Sequence, residues 1–182
     1  MISNNDADLI KKSVHVAALL DGDMAEVGVS IGDSAEVICY HKAGKVLYLF
    51  DTFDGHPKGW VGKYDLMQEE GKHSANIEDV KSRLSKFNNV YFYKGIFPET
   101  SEPIKDKKFC FVNLDTDLYK STYEGLKFFV PRIVKGAIIL VHDSPNIPGV
   151  TCAIIDYFEK YDTDATMNNF ENHNQTLIQF NG

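Results

Sequence analysis

Five short runs of apolar and aromatic residues recur along the chain, at 24–29 (MAEVGV), 45–50 (KVLYLF), 90–94 (VYFYK), 109–114 (FCFVNL) and 137–142 (AIILVH). Stretches with helical periodicity separate them, at 33–42, 76–87 and 121–133, and another follows the last run at 149–161. This alternation constrains the fold more than any other feature. A strand that is apolar along its whole length is buried on both faces, and strands joined through helices run parallel. The pattern therefore predicts a doubly wound α/β fold, with a mainly parallel sheet covered by helices on both faces. An amphipathic helix at 6–20 precedes the first strand, with Leu9, Ile10, Val14, Val16 and Ala17 near one face. Gly136 follows the helix expected to end near Val134 and reads as its C-cap. The tail ATMNNFENHNQTLIQF has no helical period and reads as a final antiparallel hairpin.

With 182 residues, the chain has the length of one domain, 1–182, with an N-terminal helical segment at 1–23. Its 43% apolar and 12% aromatic content suffices for a core covering both sheet faces. A net charge of −7 argues against a nucleic-acid backbone or an anionic membrane surface as partner. No run approaches the roughly 18 apolar residues of a membrane span, and the N-terminus lacks the apolar core of a signal peptide. Cys39, Cys110 and Cys152 lie far apart in apolar segments, as reduced thiols of a cytoplasmic protein would.

In such a fold, ligands bind beyond the carboxyl ends of the strands, where the strand order switches direction. The expected strand ends carry Gly28-Val-Ser-Ile-Gly32-Asp-Ser34, then Asp51-Thr52, Gly95-Ile96-Phe97, Asp115-Thr116-Asp117 and His142-Asp143-Ser144. The glycines either make a plain turn or bare backbone N–H groups to an anion. Their spacing is neither that of dinucleotide binders nor that of the phosphate loop with its lysine. Asp51, at the next strand tip, is placed to accept ribose hydroxyls, and together with the glycines it suggests an adenosine-type ligand.

The segments AEVGVSIGDSA, LYLFDTFDG, YKGIFPET and VNLDTDLYKSTYEGLKFFVPRIVKGAIILVHDS resemble the macrocin O-methyltransferase (TylF-like) family. Its members are class I S-adenosylmethionine-dependent enzymes that methylate sugar hydroxyls. The likeness runs from about residue 24 to about 160, and Asp115 to Ser144 is its most specific part. It implies that Glu26, Gly28, Ser30, Gly32 and Ser34 surround the methionine part of S-adenosyl-L-methionine. It places Asp51 on the ribose with Thr52 beside it, and Gly95, Ile96 and Phe97 along the adenine. Asp115 would lie near the methionine amine and the reaction centre. The acceptor implied is a sugar of a glycan or glycosylated metabolite. A homodimer, a trimmed acceptor site and a longer multidomain parent chain are all compatible with the short length.

The family also resembles enzymes that use a divalent cation, Mg²⁺ or Mn²⁺, to orient acceptor hydroxyls. Asp115 and Asp143 end neighbouring strands and are expected to share such an ion, with Ser144 or Asp117 and water completing the shell. Family members often carry two acids in a row where this chain has His142-Asp143. Candidates for a catalytic base are His56, His73 and His142, with Asp115 at the reaction centre. Segment 52–75 holds Trp60, Tyr64 and three glycines without periodicity, and reads as an active-site lid or a disordered insertion. Two further readings remain at this level: methylation of a catechol-like diol, and a non-catalytic nucleotide-binding module.

Overall fold

The computed structural model describes residues 2–182. Ser3 caps the first helix, α1 (Asn4–Ala17), by accepting from the Asp6 amide at 3.1 Å. The chain then alternates as the apolar pattern dictates: β1 (Asp23–Val27), α2 (Asp33–His41), β2 (Leu47–Asp51), α3 (Ile77–Leu84), β3 (Val90–Lys94), β4 (Phe109–Leu114), α4 (Tyr119–Phe129), β5 (Ile133–His142) and α5 (Pro148–Lys160). A final hairpin, β6 (Ala165–Asn169) and β7 (Gln175–Phe180), closes it. The seven strands form one sheet in the order β3-β2-β1-β4-β5-β7-β6. The first five run parallel, while β7 pairs antiparallel with β5 and with β6. The doubly wound sheet and the terminal hairpin are thus both as expected.

Successive strand residues feed opposite layers. Met24, Leu49 and Phe111 pack with Ile10 and Val14 of α1 and Ile38 of α2. Their neighbours Ala25, Phe50 and Val112 pack on the other face with Leu126 and Phe129 of α4 and Ile154 and Tyr157 of α5. Each such fully buried large side chain contributes about 1.5–3 kcal/mol. Double-sided burial leaves only the strand tips free for polar chemistry.

Gly136 does not cap α4. Proline cannot donate to a helical ladder, and Pro131 lies in a short 3₁₀ turn (Val130–Arg132) that ends the helix early. β5 begins at once, and Gly136, at φ +82°, sits inside it. There the ladder slips from Phe109 opposite Ile133 to Phe111 opposite Ile138. The glycine serves a strand bulge.

Candidate functional site

β1 lies between β2 and β4, so the chain order reverses at its carboxyl end. A cavity of about 280 Å³ opens there, lined by residues from the tips of β1, β2, β4 and β5. His56, Trp60 and His73, from the segment between β2 and α3, line it as well.

The two glycines of the β1–α2 turn answer to the packing of the chain itself. Gly28 holds φ +88°, and a Cβ there would overlap the Asp115 carbonyl oxygen at the β4 tip. Gly32 holds φ +83°, and its Cβ would meet Val80 Cγ1 at 2.9 Å. The N–H groups that the turn bares point to a side chain: Val29 and Ser30 both donate to Asp51 Oδ2 at 2.7 Å. Oδ1 of the same carboxylate accepts from the Phe53 amide at 2.6 Å. The Thr52 hydroxyl stands 3.5 Å from Oδ1 but donates its one proton to the Gly55 carbonyl at 2.6 Å, so of the carboxylate's about four acceptor sites about one stays for a ligand hydroxyl.

Of the residues expected around the cofactor, Gly28, Ser30, Ser34, Asp51, Thr52, Gly95, Ile96, Phe97 and Asp115 line the cavity. Glu26 and Gly32 lie outside that lining. Glu26 is fully buried, and Asn113 Nδ2 donates to its Oε1 at 2.8 Å. Burial outweighs that bond and pushes its carboxyl up to about 8, so Glu26 carries a proton at neutral pH. Its Oε2 and Asn113 Oδ1 have no partner among the described residues.

Two polar clusters stand beside the turn, at the tips of β4 and β5. In one, His142 Nδ1 stands 3.2 Å from Asp115 Oδ1 and 3.1 Å from Asp143 Oδ2, buried and in hydrogen-bonding alignment with neither. Burial disfavours the imidazolium, but the two carboxylates win and lift His142 to about 11. In the other cluster, Asp117 Oδ2 lies 3.5 Å from His73 Nε2 and 3.8 Å from His56 Nε2. Burial and the adjacent Asp143 raise the Asp117 carboxyl. Asp143, despite its burial, is held low by His142, Asp117 and Asn174, so Asp117 keeps the proton the two acids share.

Ser144 does not join either cluster. It is 3% exposed, and its hydroxyl oxygen accepts from Thr176 Oγ1 at 2.9 Å on β7. His142 stands instead at the third corner beside Asp115 and Asp143. Cis ligands of one octahedral ion with 2.0–2.1 Å bonds lie roughly 3 Å apart, which these distances match. The donor set therefore fits a divalent cation, with an imidazole where an oxygen was expected.

Periodicity carries no hint of Asp65 or Asn174. Asp65, 2% exposed, lies in the middle of segment 52–75. Its Oδ1 accepts from the Tyr119 amide at 2.8 Å and its Oδ2 from the Gly62 amide at 2.8 Å. It thereby caps α4, whose own N-cap residue, Leu118, makes no side-chain bond. The segment is also tied across its ends, His56 to Lys72 and Gly71 to His56, both at 2.9 Å. Asn174 Nδ2 donates to Asp143 Oδ1 from the β6–β7 turn.

A family model, Macrocin-O-methyltransferase (TylF), matches residues 5–176. The 8-demethyl-8-(2,3-dimethoxy-alpha-L-rhamnosyl)-tetracenomycin-C 4'-O-methyltransferase of Streptomyces olivaceus is 25% identical over 155 residues, covering 77% of this chain and 59% of that protein. The demethyldecarbamoylnovobiocin O-methyltransferase of Streptomyces niveus is 24% identical over 156 residues, covering 78% and 60% respectively. The chain thus spans about three fifths of the length of these relatives. The solved structure of the O-methyltransferase NovP superposes with a TM-score of 0.83 at 21% identity, covering 97% of this chain and 79% of that one. It shows the same fold.

Proposed function

The chain belongs to the macrocin O-methyltransferase family, and from that membership we propose that it methylates a sugar hydroxyl with S-adenosyl-L-methionine as donor. The observation that carries this reading is the convergence of two kinds of group on one cavity. The Gly28–Ser34 turn with Asp51 comes from the tips of β1 and β2, and Asp115, His142 and Asp143 from those of β4 and β5. The first suits an adenosine ligand and the second an acceptor carrying hydroxyls. The Streptomyces olivaceus relative, which acts on a rhamnosyl group according to its name, supports a glycosylated acceptor.

The cofactor, when bound, supplies an electrophilic methyl group on a sulfonium. The turn surrounds the methionine part, and Asp51 holds the adenosine part through its one open acceptor site, directed to a ribose hydroxyl. Ile96 and Phe97, both lining the cavity, provide an apolar border for the adenine. The acceptor hydroxyl attacks in line: an O–C bond forms, the C–S bond breaks, and its electron pair stays on sulfur. As the new bond forms, the hydroxyl proton becomes strongly acidic, so a positioned carboxylate suffices as base. His73, His142 and Asp115 all line the cavity, and we assign this role to Asp115, because His142 lies pinned between two acids and His73 turns its Nε2 toward Asp117 at 3.5 Å. Asp115, His142 and Asp143 would hold a divalent cation able to bind acceptor oxygens, and the imidazole favours Mn²⁺ over Mg²⁺. Trp60 offers a ring face to the sugar, and segment 52–75 serves as the lid. The free thiols of Cys39, Cys110 and Cys152 support a cytoplasmic location.

Calorimetry with S-adenosylhomocysteine and a methylation assay on rhamnosylated acceptors test the reading. Asp115→Asn is expected to keep the calorimetric affinity and lose about 10²–10⁴ in turnover. Absence of binding at high micromolar S-adenosylhomocysteine would refute it.

A further inference from the structure

We propose that His56, His73 and Asp117 form a second divalent-cation site, selective for a borderline ion such as Zn²⁺, that straps segment 52–75 to the tip of β4. The site goes beyond methyl transfer and does not depend on it. Both imidazoles turn the same nitrogen, Nε2, toward one carboxylate oxygen, at 3.8 and 3.5 Å. Their rings meet edge to face at 5.3 Å, so neither ring stacks flat on the other. Ligand atoms about 2.0–2.1 Å from a tetrahedral zinc lie roughly 3.4 Å apart, so closure on an ion takes only small side-chain shifts.

The donor set decides which ion. Two imidazoles and one carboxylate suit Zn²⁺, Fe²⁺ or Co²⁺, whereas Mg²⁺ prefers a shell of oxygens and water. Gln68 Oε1, 3.3 Å from His56 Nε2, accepts from Lys72 Nζ at 3.0 Å and is held beside the centre by that ammonium. Access is graded: the side chains of His56 and Asp117 are 8% and 15% exposed, and that of His73 is 49% exposed. An ion can therefore enter past His73 and settle against the two less exposed ligands.

Placement in the chain gives the consequence. His56 lies near the start of the segment and His73 near its end, while Asp117 follows β4. An ion held by all three fixes both ends of a long irregular segment to the turn that carries Asp115. Closing such a loop by a cross-link costs the mobile state more than the closed one, so the ion favours closure.

The test is a titration of the metal-stripped full chain with Zn²⁺, and with Co²⁺ as a coloured probe. The wild type is expected to take up one equivalent beyond that held by Asp115, His142 and Asp143, and this equivalent gives the visible bands of nitrogen-ligated Co²⁺. That equivalent should persist in Asp115→Asn, which disables the other cluster. His56→Ala and His73→Ala should each weaken it at least about tenfold, while circular dichroism stays that of the wild type. Zn²⁺ should also slow amide exchange across 52–75 in the wild type and leave His73→Ala unchanged. Zn²⁺ uptake that ignores both histidine variants, or none at micromolar concentration, would overturn the site. Unaltered exchange in the zinc-loaded wild type would overturn the strap. S-adenosylhomocysteine affinity, measured in parallel, reports on the methyltransferase reading separately.

Discussion

The Asp51 carboxylate accepts the Ser30 amide at 2.7 Å, so the tip of β2 grips the turn that leaves β1. Val29 donates to the same oxygen, and Phe53 to the other. One side chain thus shapes the floor of the cavity and offers its remaining acceptor site to what binds there.

Asp51→Ala removes both roles. S-adenosylhomocysteine should bind about 1.5–3 kcal/mol more weakly, the value of a charged hydrogen bond. Amide exchange at Val29, Ser30 and Phe53 should quicken even without ligand. Unchanged affinity in calorimetry would mean that Asp51 only builds the turn.

Glu26 makes stability depend on pH in a defined window. Its folded-state value is raised from 4.5 to about 8 by burial. Such a group favours the fold fully below its unfolded value, and that contribution is lost as pH rises toward the folded one. The wild type should therefore lose stability between pH 4.5 and about 8 relative to Glu26→Gln, which keeps the shape without the charge. Parallel denaturant midpoints for the two proteins across that window would contradict this.

Asp65→Ala should cost about 1 kcal/mol by uncapping α4. Because Asp65 also holds Gly62, exchange across 52–75 should accelerate. Asp65→Asn, which keeps one acceptor oxygen, is expected to restore much of both. Loss of stability with the segment's exchange untouched would make Asp65 a helix cap and nothing more.

Metal dependence is the fourth expectation. Activity should fall in EDTA and return with Mn²⁺. Asp143→Asn should abolish most turnover while S-adenosylhomocysteine affinity stays near that of the wild type, because the role proposed for Asp143 is toward the cation and the acceptor. Full activity in EDTA would assign the Asp115–His142–Asp143 group to charge pairing alone.

The alternation of apolar strands and amphipathic helices determined the fold, because double-sided burial dictates a parallel sheet whatever the details of its side chains. It also brought Gly28, Asp51, Asp115 and Asp143 to one edge, since strand tips in such a sheet converge where the order reverses. The end of α4 was misplaced because the glycine at 136 has the same signature whether it caps a helix or serves a bulge, and only the pairing of β4 with β5 distinguishes them. The rest belonged to tertiary structure alone. Whether Ser144 faces an ion or Thr176, and whether His142 sits between two acids or inside the sheet, depends on side-chain directions set by β7 and the turn after it. Asp65 reaches the start of α4, and His56, His73 and Asp117 meet, only because an irregular segment folds back across the cavity. Periodicity carries no information about such contacts: a loop without a repeat places its polar groups by hydrogen bonds to distant backbone, and those partners exist only once the sheet has formed.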